Sequence, residues 1–163
     1  MPLLQFTLTV EVLASEADLS PAELRTWLAA RAATAHAYAP YSGFHVGAAL
    51  LLTDGLLFSG TNQENAAYPS GLCAERTALF GLAAAHPGAG PIVGMAVAAR
   101  PAHGEFGLAM PCGACRQVML EYKVRQNQPI PLLLPGPEGQ IYRLACVSDL
   151  LPFHFSAATL PTR

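Results

Sequence analysis

The sequence predicts an α/β domain with helices packed on a central sheet, and three observations carry that expectation. Segments of strand pattern are interleaved with segments of helical pattern along the chain. One pair of apolar runs is joined by Asp54-Gly55, a dipeptide suited to the positive φ angles of a two-residue hairpin turn. A chain of 163 residues, 52% of them hydrophobic, can also bury a sizeable core without disulfide staples. Only 12% of the residues are charged, about half the ~25% usual for soluble domains, so much of the surface is expected to be covered by further copies of the chain.

Taken in order, residues 4–12 alternate, with Leu4, Phe6, Leu8, Val10 and Val12 on one side and polar residues on the other, which predicts a half-buried strand. Ser20-Pro21-Ala22-Glu23 is a capping box with proline at the first helical position, and Leu24, Trp27, Leu28 and Ala32 follow at helical spacing. That helix should run to about Tyr38, before Pro40. The hairpin pairs 46–53 with 56–59, and the polar stretch 62–72, broken by Pro69-Ser70-Gly71, reads as loop. A second helix should begin near Cys73 and stop at His86-Pro87-Gly88; 92–99 is a buried strand, and 100–110 a loop rich in Pro and Gly. A third helix should open at Cys112 behind Pro111, with Val118, Met119 and Tyr122 inward. Residues 130–134 and 141–145 are short strands around a turn, and Ser148 is the expected cap of a last short helix. No repeat and no linker divides the chain.

Composition excludes several functions. With a formal charge of -2, a pI near 6.2 and Lys123 as the sole lysine, there is no footprint for a phosphate backbone, so a nucleic-acid partner is not expected. The apolar stretch 77–102 is interrupted by His86-Pro87-Gly88 and Gly90-Pro91, well short of a membrane span. The first basic residue is Arg25, so no positive n-region of an export signal is present, and a reduced, cytoplasmic compartment is expected.

The chemistry lies in two short stretches, Cys73-Ala74-Glu75-Arg76 and Pro111-Cys112-Gly113-Ala114-Cys115-Arg116-Gln117. They supply three soft ligands and a carboxylate that need not be one, the inventory of a catalytic zinc site with one coordination position left for water. Both fall where helices should begin, where free N–H groups and the positive dipole end lower a thiol's pKa. Cys112 and Cys115 share one helical face, Cys73 arrives from the other helix, and Glu75 would point away from the metal. Three thiolates leave the metal centre with net negative charge, so a guanidinium donating to sulfur has a use, and Arg76 is the better candidate over Arg116. The alternatives are a Cys-x-x-Cys redox pair, or a purely structural zinc site with Cys146 as fourth ligand.

On these residues the sequence resembles the short, zinc-dependent cytidine deaminases. The likeness extends to Tyr41-Ser42-Gly43-Phe44, to Val46-Gly47-Ala48-Ala49, to the stretch from Asn62 to Tyr68, and to Leu150-Leu151-Pro152 with Phe155, and it covers about residues 21–160. It implies a three-layer α/β/α fold with a central mixed sheet of about five strands, to which 4–12 would add one. It also implies one Zn2+ per subunit on Cys73, Cys112 and Cys115, and Glu75 as the proton shuttle for deamination of cytidine and deoxycytidine in pyrimidine salvage.

The resemblance further places the base carbonyl on the Ala74 N–H, the oxygen formed at C4 on the Cys112 N–H, the sugar on Asn62 and Glu64, and the base against Phe44. Ala66, Tyr68 and Phe155 would lie near a neighbouring subunit's site in a homotetramer. Residues 1–19 have no counterpart and read as an N-terminal extension to a single catalytic domain, 20–163; the loop 100–110 is longer than the family pattern, with Met110 where a serine is common. A deaminase of the blasticidin S type, and a non-catalytic nucleoside-binding or structural zinc protein, are the rival readings.

Overall fold

In a computed structural model, residues 1–160 are described; 161–163, the end of the expected catalytic domain, lie outside them. The chain runs β1 (Glu11–Leu13), α1 (Pro21–Ala33), β2 (Phe44–Leu52), β3 (Leu57–Thr61), α2 (Ala74–Ala85), β4 (Ile92–Pro101), α3 (Gly113–Gln126), β5 (Leu132–Pro135) and β6 (Ile141–Leu144). The strands form one mixed sheet in the order β1-β6-β5-β4-β2-β3, parallel only between β4 and β5.

The period-two alternation of the strands divides the core between two faces. Ala48, Leu50 and Leu52 of β2, Met95 and Val97 of β4, and Leu132 and Leu134 of β5 point to the face covered by α2 and α3. Ala49, Ala96, Ala98 and Leu133 point the other way, against Trp27 and Ala30 of α1. Helices and strands approach closely where side chains are missing. A Cβ on Gly60 would sit 2.3 Å from the Ala78 N of α2, and one on Gly47 would sit 2.1 Å from the Ala30 O of α1. These two glycines seat a helix on each face of the sheet, and Gly60 therefore fixes the height of the start of α2.

The sheet has its extra N-terminal strand, but it is shorter than the alternation over 4–12 suggests. Pairing is confined to Glu11↔Arg143, Val12↔Tyr142 and Leu13↔Ile141, because β6 offers only four residues as a template. In that register Leu13 turns inward, while Leu4, Phe6, Leu8 and Val12 remain half or more exposed. Arg143 of β6 gathers the region, donating to Glu11 (2.8 Å) and to Glu23 (3.0 Å) at the start of α1.

The α1 capping box forms as the sequence predicts, with Ser20 and Glu23 satisfying each other's backbone N–H groups. Helix α1 stops at Ala33 rather than near Tyr38, since the Thr34 hydroxyl donates to the Arg31 carbonyl (2.7 Å) and a 3-10 turn follows. The short helix after β6, Val147–Leu150, starts from Cys146, whose N–H donates to the Asp149 carboxylate (3.3 Å), rather than from Ser148, and a further 3-10 turn, Ala157–Thr159, follows it. Among the described residues no helix is long and apolar enough to cross a membrane.

Candidate metal centre and active site

Helices α2 and α3 begin side by side on the same face of the sheet, and the Tyr122 hydroxyl of α3 donates to the Leu79 carbonyl of α2 (2.8 Å), which holds them together. Their N-cap residues are Cys73 and Cys112, and neither side chain caps its helix. The N–H groups of each first turn therefore lack intrahelical partners, and the two sulfur atoms are free for other use.

Cys115 completes the group from the first turn of α3, fully buried. The sulfur of Cys112 lies 3.8 Å from that of Cys73 and 3.4 Å from that of Cys115, and all three ligand atoms lie within 4.8 Å of one another. Three convergent sulfur donors from two rigid helix starts suit a soft, tetrahedral-preferring ion such as zinc, and Glu75 stands outside the ligand group. Cys146 is buried elsewhere, as the cap of Val147–Leu150, and is not among the convergent sulfurs.

The helix ends alone do not set the thiol acidities. The neighbouring Cys115 thiol is the largest influence on Cys73; with Arg76 and Cys112 it brings Cys73 down to about 5, against the opposing effect of burial. The proximity of Cys73, together with burial, pushes Cys115 the other way, upward, so the helix ends do not lower every thiol of the group. The sulfurs share protons, so holding one as thiolate makes its neighbour the donor. Arg76 Nη2 lies 3.9 Å from the Cys73 sulfur and 3.4 Å from the Gly71 carbonyl. Arg116 instead donates to the carbonyls of Pro111 (2.9 Å) and Leu150 (3.3 Å), fastening the chain before and after α3.

Glu75 is 4% exposed and raised above the ordinary carboxylate range, chiefly by burial, with the Cys73 charge adding to the effect and its own backbone N–H opposing it. It lines a pocket of about 610 Å3 with Cys73, Arg76 and Cys112. Phe44, Asn62, Glu64 and Tyr68 line it too, whereas Ala66, Ala74, Cys115 and Phe155 do not.

Asn62 is committed locally. Its side-chain carbonyl accepts from the Val46 N–H and its amide donates to the Phe44 carbonyl, both at 2.8 Å, so it fixes the backbone that carries Phe44. Glu64 accepts from the backbone N–H groups of Tyr41 (2.9 Å) and Ser42 (3.2 Å), and hydrogen bonds from Ser42 and Tyr41 are the main causes holding it below its ordinary range. Phe155 is 62% exposed, and its carbonyl accepts from Gln117 of α3 (2.8 Å). Sequence reasoning left out Tyr41, Val97, Ala109 and Met110 from the pocket wall. The signal for Tyr41 was present in its turn-forming neighbours Ser42-Gly43, but nothing local marks Ala109 and Met110, which arrive at the end of an irregular loop.

The family model described as cytidine and deoxycytidylate deaminase zinc-binding region matches residues 23–128. A cytidine deaminase of Halalkalibacterium halodurans is 45% identical over 124 residues, 74% of this chain and 84% of that protein. One from Mycobacterium tuberculosis is 40% identical over 129 residues, 79% of this chain and 86% of that one. Among solved structures, the cytidine deaminase of Burkholderia pseudomallei is similar with a TM-score of 0.67 and 44% identity, covering 80% of this chain and 97% of that one. The matched span holds all three convergent cysteines and Glu75, and the similarity runs through both the sequence and the fold around them. The chain belongs to the zinc-dependent cytidine deaminase family.

Proposed function

We propose that this protein deaminates cytidine and deoxycytidine by hydrolysis, giving uridine or deoxyuridine and ammonia. The observation that carries the reading is Glu75, a buried carboxyl with raised pKa lining the pocket beside Cys73 and Cys112. Cys73, Cys112 and Cys115 would hold one zinc ion per subunit, which when bound supplies the Lewis acidity that makes water nucleophilic near neutral pH.

Glu75 accepts a proton from the attacking water as its oxygen bonds to C4, and delivers that proton to the ring nitrogen N3. It then moves the remaining hydroxyl proton to the amine, the C4–N bond breaks, and ammonia leaves. A carboxyl whose pKa lies above its ordinary range gives up a proton less readily than an exposed one and so can both take and return it, which this sequence requires. The N–H groups of Ala74 and Cys112 hold the base oxygens, Phe44 stacks on the ring, and Asn62 and Glu64 face the sugar; Arg76 steadies the Cys73 thiolate. Spectrophotometric assays with cytidine, deoxycytidine, cytosine, cytidine monophosphate and blasticidin S, alongside zinc analysis, test the reading. Turnover of the two nucleosides is expected; preference for blasticidin S, or turnover of none, overturns it.

The same reading gives a homotetramer in which Ala66, Tyr68 and Phe155 approach a neighbour's pocket, with 20–163 as the catalytic unit. It is supported by the low charged fraction and by Tyr68 and Phe155, which are 79% and 62% exposed. Mixing an inactive Glu75 variant with an inactive Phe155 variant should restore activity through hybrid assemblies; an active monomer on gel filtration overturns it. Four free thiols, three of them convergent, support a reducing, cytoplasmic setting.

A further inference from the structure

Between the end of β4 and the start of α3, residues 102–112 have no regular structure, yet their far end carries Ala109 and Met110 into the wall of the pocket. The segment is tied at few points. The Ala102 N–H donates to the Gly43 carbonyl (2.7 Å), the Gly107 N–H to the Ala99 carbonyl (3.0 Å), and Pro111 accepts from Arg116. Among the described residues, no hydrogen bond reaches 108–110 themselves.

What fixes the middle of the loop is the side chain of Phe106. It packs against the core on the α1 face, and the Arg31 guanidinium lies 4.1 Å over its ring. Arg31 is held in turn by Glu16, which also accepts from the Trp27 indole N–H (2.9 Å). Glu16 belongs to the 3-10 turn Glu16–Asp18, whose start is closed by the Ser15–Asp18 capping box and whose following residue, Leu19, is buried and donates its N–H to the Glu16 carbonyl. A continuous set of contacts thus runs from the N-terminal segment, through Arg31 and Phe106, to the loop that ends in Ala109 and Met110.

We propose that Phe106 is a positioning residue for the substrate pocket: clamped beneath Arg31 and Glu16, it sets the place of the Ala109-Met110 wall, so that residues 14–19 tune substrate affinity from the opposite face of the sheet. The proposal rests on the nucleoside reading of the pocket and deepens it. Phe106 touches neither the sulfurs nor Glu75, so its loss loosens one wall and leaves the proton chemistry in place. A residue with this role alters KM rather than kcat.

The test uses the full-length, zinc-loaded enzyme. Phe106→Ala should raise KM for cytidine about fivefold or more while kcat stays within about twofold. Arg31→Met should act in the same direction with a smaller effect, and Phe106→Leu, which keeps an apolar anchor, should restore most of the affinity. Amide hydrogen exchange across 103–110 should quicken in Phe106→Ala, with exchange in α3 and zinc content unchanged. A Phe106→Ala enzyme with parental KM, or one with equal losses in kcat and kcat/KM, overturns the proposal. Should the parent turn over no nucleoside, the functional reading fails separately, and hydrogen exchange alone decides: unaltered exchange at 103–110 then overturns the clamp.

Discussion

The starts of the helices fall into two kinds. Helix α1 and the 3-10 turn before it begin with complete capping boxes, Ser20 with Glu23 and Ser15 with Asp18, so their first N–H groups are satisfied by the chain itself. Helices α2 and α3 begin with Cys73 and Cys112, which cap nothing. A good N-cap is worth ~1 kcal/mol over alanine, so the second kind forgoes stability that the first kind takes. What the uncapped starts gain is a pair of sulfurs at the same pocket. One region is closed for folding, and the other is left open for ligands.

The largest effects should come from breaking the open kind. Glu75→Gln should lower kcat by about 10^3-fold, in line with removal of a general acid–base group, while zinc content and nucleoside binding persist. Rates within tenfold of the parent would remove Glu75 from the mechanism. Cys112→Ser should lose zinc by metal analysis, since two thiols hold it poorly. Because serine can cap α3, its melting temperature should not fall below that of parent protein treated with a chelator. Full zinc occupancy in this variant would mean the ligand group is wrong.

The seating of α2 comes next. Gly60→Ala forces a Cβ against backbone of the first turns of α2, where Ala78 N and Ala74 O lie within 3 Å of it, so a loss of ~1–3 kcal/mol is expected by denaturant titration. At the closed start, Ser20→Ala should cost ~1 kcal/mol and leave kcat and zinc untouched. A change in zinc content there would erase the division between the two kinds.

The smallest effect is one of pH. Burial works to raise Glu23, but hydrogen bonds from Ser20 and Arg143 outweigh it and hold Glu23 below its ordinary 4.5. A lowered folded-state pKa contributes stability above the unfolded value and loses it as pH falls through the folded one. The stability difference between parent and Glu23→Gln should therefore be present at pH 7 and shrink progressively below about pH 4.5. A difference unchanged down to pH 3 would show that packing, not charge, explains it.

The closed start of α1 is legible because its information is local: Ser20-Pro21-Ala22-Glu23 states its own geometry within four residues. The hairpin forms where Asp54-Gly55 places it, but not as a two-residue turn with two positive φ angles: only Gly55 has one (85°), and the Leu52 N–H donates to the Leu56 carbonyl (3.0 Å) across three intervening residues. The sulfur site was legible because residue types at fixed spacing carry its chemistry. What escaped depends on partners distant in sequence. The strand over 4–12 shrank to Glu11–Leu13 since its length is set by β6, some 130 residues away. Asn62 reads as a polar loop residue facing the sugar, yet its amide also holds the backbone of Phe44 and Val46, a pairing visible only once β2 is in place. The walls formed by Ala109 and Met110 depend on an anchor at Phe106, which no periodicity marks.

Trp27, the sole tryptophan of the chain, is 5% exposed and donates its indole N–H to Glu16, so the protein carries a single indole, excitable at the red edge of the absorption apart from its five tyrosines, at the junction of the N-terminal turn and α1. Its emission reports one place. Release of the turn admits water to the indole and shifts the emission to longer wavelength, whereas events confined to the sulfur pocket on the other face leave it unchanged. Heating or mild denaturant can therefore separate detachment of this segment from collapse of the core, as an optical transition that precedes the loss of circular dichroism.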